Sequence, residues 1–149
     1  MLGEAFQRIS TKFKLHFYRT AFGCLQDRGT DLTPMETFSM EIIMALGKPT
    51  INEFSKFLRI SAPNAAYKIS SLIQKGYVRK VRSTRDKREY YLEITQKYID
   101  HHNVWYNYLS TVVERIQARF SDEDSAYLEK MLNIITDELM PEIALPPEA

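Results

Sequence analysis

Two stretches of the 149-residue chain gather side chains capable of directional chemistry. The first, Ser61-Ala62-Pro63-Asn64-Ala65-Ala66-Tyr67-Lys68, mixes hydroxyls, an amide and an ammonium with small residues that allow close backbone approach. An Asn amide sets a donor beside an acceptor, the pattern that pairs bidentately with the adenine edge in a major groove. A lysine such as Lys68 is a point charge suited to phosphate. The second stretch, Arg85-Asp86-Lys87-Arg88, places three cations around one carboxylate. Both are equipment for recognition by hydrogen bonds and charge. The bond-making constellations are missing from the sequence, which has no Gly-rich phosphate loop, no Gly-x-Ser-x-Gly and no metal-ligand spacing. Neither an enzyme nor a resident cofactor is expected.

The elements that must carry these stretches follow from periodicity. Phe6, Ile9, Phe13, Phe17, Ala21, Cys24 and Leu25 recur at three- and four-residue steps, predicting an amphipathic helix over 4–28 with Gly29 as its stop. Thr33, Pro34 and Glu36 form a capping box with proline in the first turn. They open a helix whose apolar face is expected to be Met35, Phe38, Ile42 and Leu46. A second box, Thr50 with Glu53, opens a short helix with Phe54, Phe57 and Leu58 inward, and Arg59-Ile60 is the turn after it. Ser61 caps the next helix, whose buried stripe is Ala65, Ile69, Leu72 and Ile73, and Lys75-Gly76 ends it.

Past Gly76 the pattern changes to β-branched and aromatic residues in two runs, 77–82 and 89–94, around a polar link. They predict a β-hairpin with Arg85, Lys87 and Arg88 at its tip. Thr95 is expected to cap a long helix through Ile99, Tyr106, Val113 and Phe120. Ser121 restarts a last one with Leu128, Met131, Ile135 and Leu139 as its stripe.

Charge is unevenly distributed along this order. The net charge is +1 overall. Residues 50–91 hold ten basic and three acidic side chains, a balance of +7, while residues 92–149 balance at −7. A basic block over a helix-turn-helix and hairpin is the footprint of a polyanion partner. The expected fold is mainly α with a small β-hairpin wing, a winged helix-turn-helix over 33–95 and a helical dimerisation region over 1–32 and 96–149. The expected partner is double-stranded DNA, contacted by Ser61, Asn64, Ala65, Tyr67 and Lys68 in the major groove and by Arg85, Lys87 and Arg88 from the wing. Asp86 is out of place facing phosphate unless it holds an arginine, so an Asp86–Arg88 pair is expected to orient the wing.

The run Leu72-Ile73-Gln74-Lys75-Gly76-Tyr77-Val78, the segment Arg82-Ser83-Thr84-Arg85-Asp86-Lys87-Arg88 and the following Leu92-Glu93-Ile94-Thr95 together resemble the MarR family of bacterial regulators. The resemblance implies a dimerisation platform built from the first and last helices and a wing Asp-x-Arg that is both structural and DNA-contacting. Departures from the family pattern are Ala66 and Tyr67, where hydroxyl and arginine side chains are common, and Gln96-Lys97-Tyr98, where a glycine commonly follows the threonine.

Other features compete with this reading. Cys24 could sense peroxide, but on an apolar stripe it is better read as a small buried residue. His101 and His102 could bind metal, yet adjacent helical residues do not share a face. His16 reads as structural. The aromatics Phe13, Phe17, Tyr18, Phe38, Trp105, Tyr106 and Tyr108 could line a pocket for a small apolar or aromatic effector, or simply pack a core. The rivals to operator binding are therefore a winged-helix protein-interaction module and an effector- or metal-sensing regulator. With one Cys and no apolar run near the ~20 residues of a membrane span, the cytoplasm is the expected compartment.

Overall fold

The computed structural model describes residues 1–23, 31–102 and 104–146, with the side chains of all but 23, 101, 102 and 104–106. The described elements run α1 (Leu2–Gly23), α2 (Pro34–Leu46), α3 (Ile51–Leu58), α4 (Ala62–Gln74), β1 (Val78–Arg82), β2 (Tyr90–Ile94), α5 (Gln96–His102), α6 (Val104–Arg119) and α7 (Asp122–Glu138). They fall into two units, Met1–Asn103 and Val104–Ala149. The mainly helical fold with one antiparallel hairpin matches the winged helix-turn-helix expected from the sequence.

Caps set most of the helix starts in the first unit. Thr33 and Glu36 form the reciprocal box at α2, the Thr33 hydroxyl accepting from Glu36 N–H and the Glu36 carboxylate from Thr33 N–H. The hydroxyls of Thr50 and Ser61 accept from the amides of Glu53 and Asn64. Gly76 closes α4 with φ 84°, a backbone region in which a Cβ is strained.

Apolar side chains from α2, α3, α4, the hairpin and α5 make the core: Met40, Ile43, Phe54, Ala65, Ile69, Leu72, Leu92 and Tyr98 are fully or almost fully buried. Two expected faces are corrected here. On α2 the buried positions are Thr37, Ser39, Met40 and Ile43; of the expected face Ile42 packs against the core, Phe38 and Leu46 are half-buried, and Met35 is 61% exposed. That helix is apolar on several sides, so periodicity alone did not select the face turned inward. On α3, Phe54 is buried but Phe57 is 49% exposed, because eight residues give two turns and one inward row.

β1 and β2 pair with Val78 opposite Ile94 and Arg82 opposite Tyr90. A bridge between Thr50 and Tyr91, with Leu92 N–H donating to Pro49 O at 2.8 Å, fastens the hairpin to the start of α3. Thr95 stands at the start of α5 as expected, its carbonyl accepting from the amides of Tyr98 at 3.1 Å and Ile99 at 3.4 Å. Its hydroxyl donates to the Gly76 carbonyl at 2.6 Å, joining the end of β2 to the end of α4. The expected long helix is seen as α5 and α6 on either side of residue 103, which lies outside the described residues. In the second unit Ser121 caps α7, accepting from Asp124 N–H, and Asp122, Glu123 and Asp124 stand at its positive pole. No residue of α7 is buried; Leu128 and Ile135 are half-buried, while Met131 and Leu139 are exposed.

Candidate nucleic-acid interface

The turn before α4 is built from three residues. Arg59 takes left-handed backbone (φ 53°, ψ 44°), the Ser55 hydroxyl donates to Ile60 O at 2.8 Å, and Ile60 N–H donates back to Ser55 O at 3.1 Å. With the turn fixed, α4 turns Ala65, Ile69 and Leu72 into the core and leaves Ser61, Asn64 and Tyr67 exposed, Tyr67 at 77%. Lys68 is half-buried. Ala65 is the exception among the expected groove residues. It is 0% exposed, on the same stripe as Ile69, and has no surface to offer a partner. Ala66 is the small exposed residue of that turn.

A polar network seats the far end of α4. The Glu36 carboxylate, already capping α2, accepts from the Ser71 hydroxyl and from Lys75 Nζ, each at 2.7 Å. Lys75 also donates to Asp31 O at 2.6 Å, and the Tyr77 hydroxyl donates to Asp31 Oδ1 at 2.7 Å. Lys97 Nζ donates to Lys75 O and lies 4.3 Å from the centre of the Tyr77 ring. Burial pushes the Glu36 carboxyl up, but the bonds from Lys75, Thr33 N–H and Ser71 together hold it below the usual range. The Tyr77 hydroxyl does the same for Asp31. On the neighbouring face the Tyr98 hydroxyl donates to Glu41, whose carboxyl is pushed up by burial despite that bond. Sequence reasoning found Glu36 as a cap and Lys75 as a helix-end cation. Their meeting across α2 and α4 has no local signal.

The wing tip is a tight, ordered turn. The buried Ser83 accepts at its hydroxyl from the amides of Arg85 (3.2 Å) and Asp86 (3.3 Å), and its own N–H donates to Glu89 O at 2.9 Å. Arg82 Nε donates to Lys87 O at 2.9 Å. The Asp86 carboxylate accepts from Arg88 N–H at 3.0 Å, Nε at 3.2 Å and Nη2 at 3.4 Å. Arg88's amide, then its guanidinium, keep Asp86 below the usual carboxylate range. The pair is present, and the Arg88 side chain stays 91% exposed. Arg85 and Lys87 are exposed as well. At the base of the wing Glu93 accepts from its cross-strand partner Arg79 at 2.6 Å and from Lys48 at 3.2 Å.

An open cleft of about 250 Å³ brings the two parts together. It is bordered by Thr50, Ile51, Asn52 and Ser55, by Ala62 at the start of α4, and by Arg88, Glu89 and Tyr90 of the wing. One surface thus carries the beginning of α4 and an arginine held by its own carboxylate. Among the described residues no group of His, Cys, Asp or Glu is arranged to hold a metal. Cys24 and the side chains of His101, His102, Trp105 and Tyr106 lie outside the described residues. His16 is half-buried on α1.

Residues 32–90, from just before α2 into the second strand, match the model of the MarR family. Over those 59 of its 149 residues, the helix-turn-helix and most of the hairpin, the chain is similar to the MarR family. Solved structures repeat the MarR-family fold over nearly its whole length. It is similar to FabT of Streptococcus pneumoniae, crystallised in complex with DNA, at 22% identity and a TM-score of 0.62, covering 96% of this chain and 100% of that one. It is similar to the transcriptional regulator Tm0710 of Thermotoga maritima at 21% identity and a TM-score of 0.61, covering 91% and 97%. A MarR family protein of Bacillus stearothermophilus gives 15% identity and a TM-score of 0.64, covering 93% and 92%. Comparison with curated proteins found no match. No helix among the described residues is long and apolar enough to cross a membrane.

Proposed function

We propose that this chain is a cytoplasmic MarR-family repressor that binds a pseudo-palindromic operator as a homodimer. Each copy lays α4 in a major groove and its wing against the adjacent minor groove. One observation carries the reading: the exposed start of α4 and the Asp86-held Arg88 border the same cleft, within a segment whose charge balance is +7. FabT, whose fold is shared, is a protein crystallised with DNA. In the mechanism, Asn64 reads a base edge while Lys68, Arg85, Lys87 and Arg88 neutralise phosphate or enter the narrow groove. Ser61 and Tyr67 complete the contact surface of α4. Repression follows by occupying DNA that polymerase needs.

Support for the dimer is the apolar surface each unit leaves outside its own packing: Phe6, Ile9 and Leu15 on α1, and Val113, Tyr127 and Leu132 on α6 and α7. A small apolar or aromatic effector is supported by the cluster of Phe17, Tyr18 and Phe22 around Phe38, with ring centres 5.3–6.5 Å apart and Tyr18 and Phe22 half-exposed. Selection of bound fragments from genomic DNA, followed by titration against salt, tests the central reading. Enrichment of an inverted repeat bound with a steep salt dependence is the expected result. Fragments without any shared repeat would overturn the operator model.

A further inference from the structure

Two residues other than glycine hold left-handed backbone among the described residues, Lys48 at φ 52° and Arg59 at φ 53°. A Cβ makes that region costly, and Gly and Asn enter it most readily. Both positions carry cations. Lys48 has a use inside the fold, its ion pair with Glu93. Arg59 is different. Its amide closes the turn on Lys56 O at 3.2 Å, but its exposed guanidinium makes no hydrogen bond or ion pair among the described residues. The backbone there would be better served by glycine, and the side chain serves no contact of the fold. A strained residue kept without internal compensation points to a use outside the molecule.

Its position says which use. Arg59 directly follows α3 and stands two residues before Ser61, the cap of α4. Lys56, one turn back on α3, is likewise exposed and without an ion pair among the described residues. The turn therefore presents two uncompensated cations immediately ahead of the exposed face of α4. We propose that Arg59 is a DNA-backbone contact, binding phosphate beside the groove that α4 enters, and that its positive charge is retained against the preference of the backbone. This rests on the DNA-binding reading above. Such a contact is independent of base sequence, so it adds affinity and sets register without specificity.

The test uses the full-length protein, a random-sequence duplex of about 30 base pairs, enough for two half-sites, and the variants Arg59→Gly, Arg59→Asn and Arg59→Lys. Melting temperature and duplex affinity are measured across a salt series. The two neutral variants should keep or raise the melting temperature, bind several-fold more weakly at low salt, and flatten the slope of log affinity against log salt by about one per bound copy. Arg59→Lys should match the wild type. Neutral variants with wild-type affinity and slope would overturn the proposal, as would lower melting temperatures, which would place the guanidinium in the fold. Weak binding by Arg59→Gly alone would also overturn it, since turn flexibility would then be the cause. Failure of the wild type to bind the duplex at any salt would instead overturn the DNA-binding reading itself.

Discussion

Asp86 removes one positive charge from the wing, and simple charge counting says that deleting it should tighten DNA binding. Its carboxylate, however, holds both the amide and the guanidinium of Arg88. Ordering that side chain before DNA arrives removes an entropic cost from binding. Asp86→Ala is therefore expected to weaken duplex binding at fixed salt, and Arg88→Ala to weaken it more, while thermal unfolding barely moves in either. Tighter binding by Asp86→Ala in an anisotropy titration would reduce the wing to a basic patch. On α4, Asn64→Ala should cost about 1–3 kcal/mol per half-site on the operator and little on random duplex. Lys68→Ala should weaken both duplexes and flatten the salt dependence. Equal losses on the two duplexes for Asn64→Ala would remove it as the base reader. Glu41 offers a test of stability alone. Burial raises its folded pKa, so its contribution to stability is full at low pH, where it is protonated in both states, and is lost as pH rises through that raised value. Glu41→Gln keeps an acceptor for Tyr98 and should raise the melting temperature at pH 7 more than at pH 4.

Among the elements, α4 matters most, and Glu36 is what seats its far end. Glu36 titrates in the opposite sense to Glu41. Its folded pKa is depressed, so the network stabilises the fold above the ordinary glutamate value and is lost as pH falls through the depressed one. Glu36→Gln keeps one carbonyl oxygen to accept from Thr33 N–H in the box at α2, with its NH2 then turned to donate to the Ser71 hydroxyl, but removes the charge facing Lys75. A loss of about 1 kcal/mol at pH 7 is expected, shrinking as the solution is acidified. A pH-independent loss in urea unfolding would mean that the charge contributes nothing. How much of this was legible in the sequence depends on how local the signal is. The boxes at Thr33 and Thr50, the cap at Ser61, the Gly76 stop and the hairpin are short-range patterns and could be read directly. So could the Asp86–Arg88 pair, two residues apart. The bonds from Ser71 and Lys75 to Glu36 span 35 and 39 residues and could not. The same limit explains α2, where several apolar faces competed, and Ala65, which the small-residue argument offered to DNA while its own stripe buried it.

At the scale of the whole molecule, residues 50–91 balance at +7 and residues 92–149 at −7, so the proposed contact with a polyanion falls to the basic middle. Phe6, Ile9 and Leu15 on α1 and Tyr127, Leu132 and Leu139 in the second unit stay exposed in a single chain. A second copy would cover surface of this kind. Sedimentation at micromolar concentration is accordingly expected to show a dimer with or without DNA, and a monomer under both conditions would remove the assembly. Operator binding by a homodimer requires two copies of α4 reading two half-sites on one face of the duplex. Hydroxyl-radical footprinting on a selected genomic fragment measures that directly. Two protected patches related by a dyad, with centres roughly 34–36 Å apart and both fading together as salt rises, are the predicted result. A single patch, or none, at protein concentrations that saturate binding would contradict it.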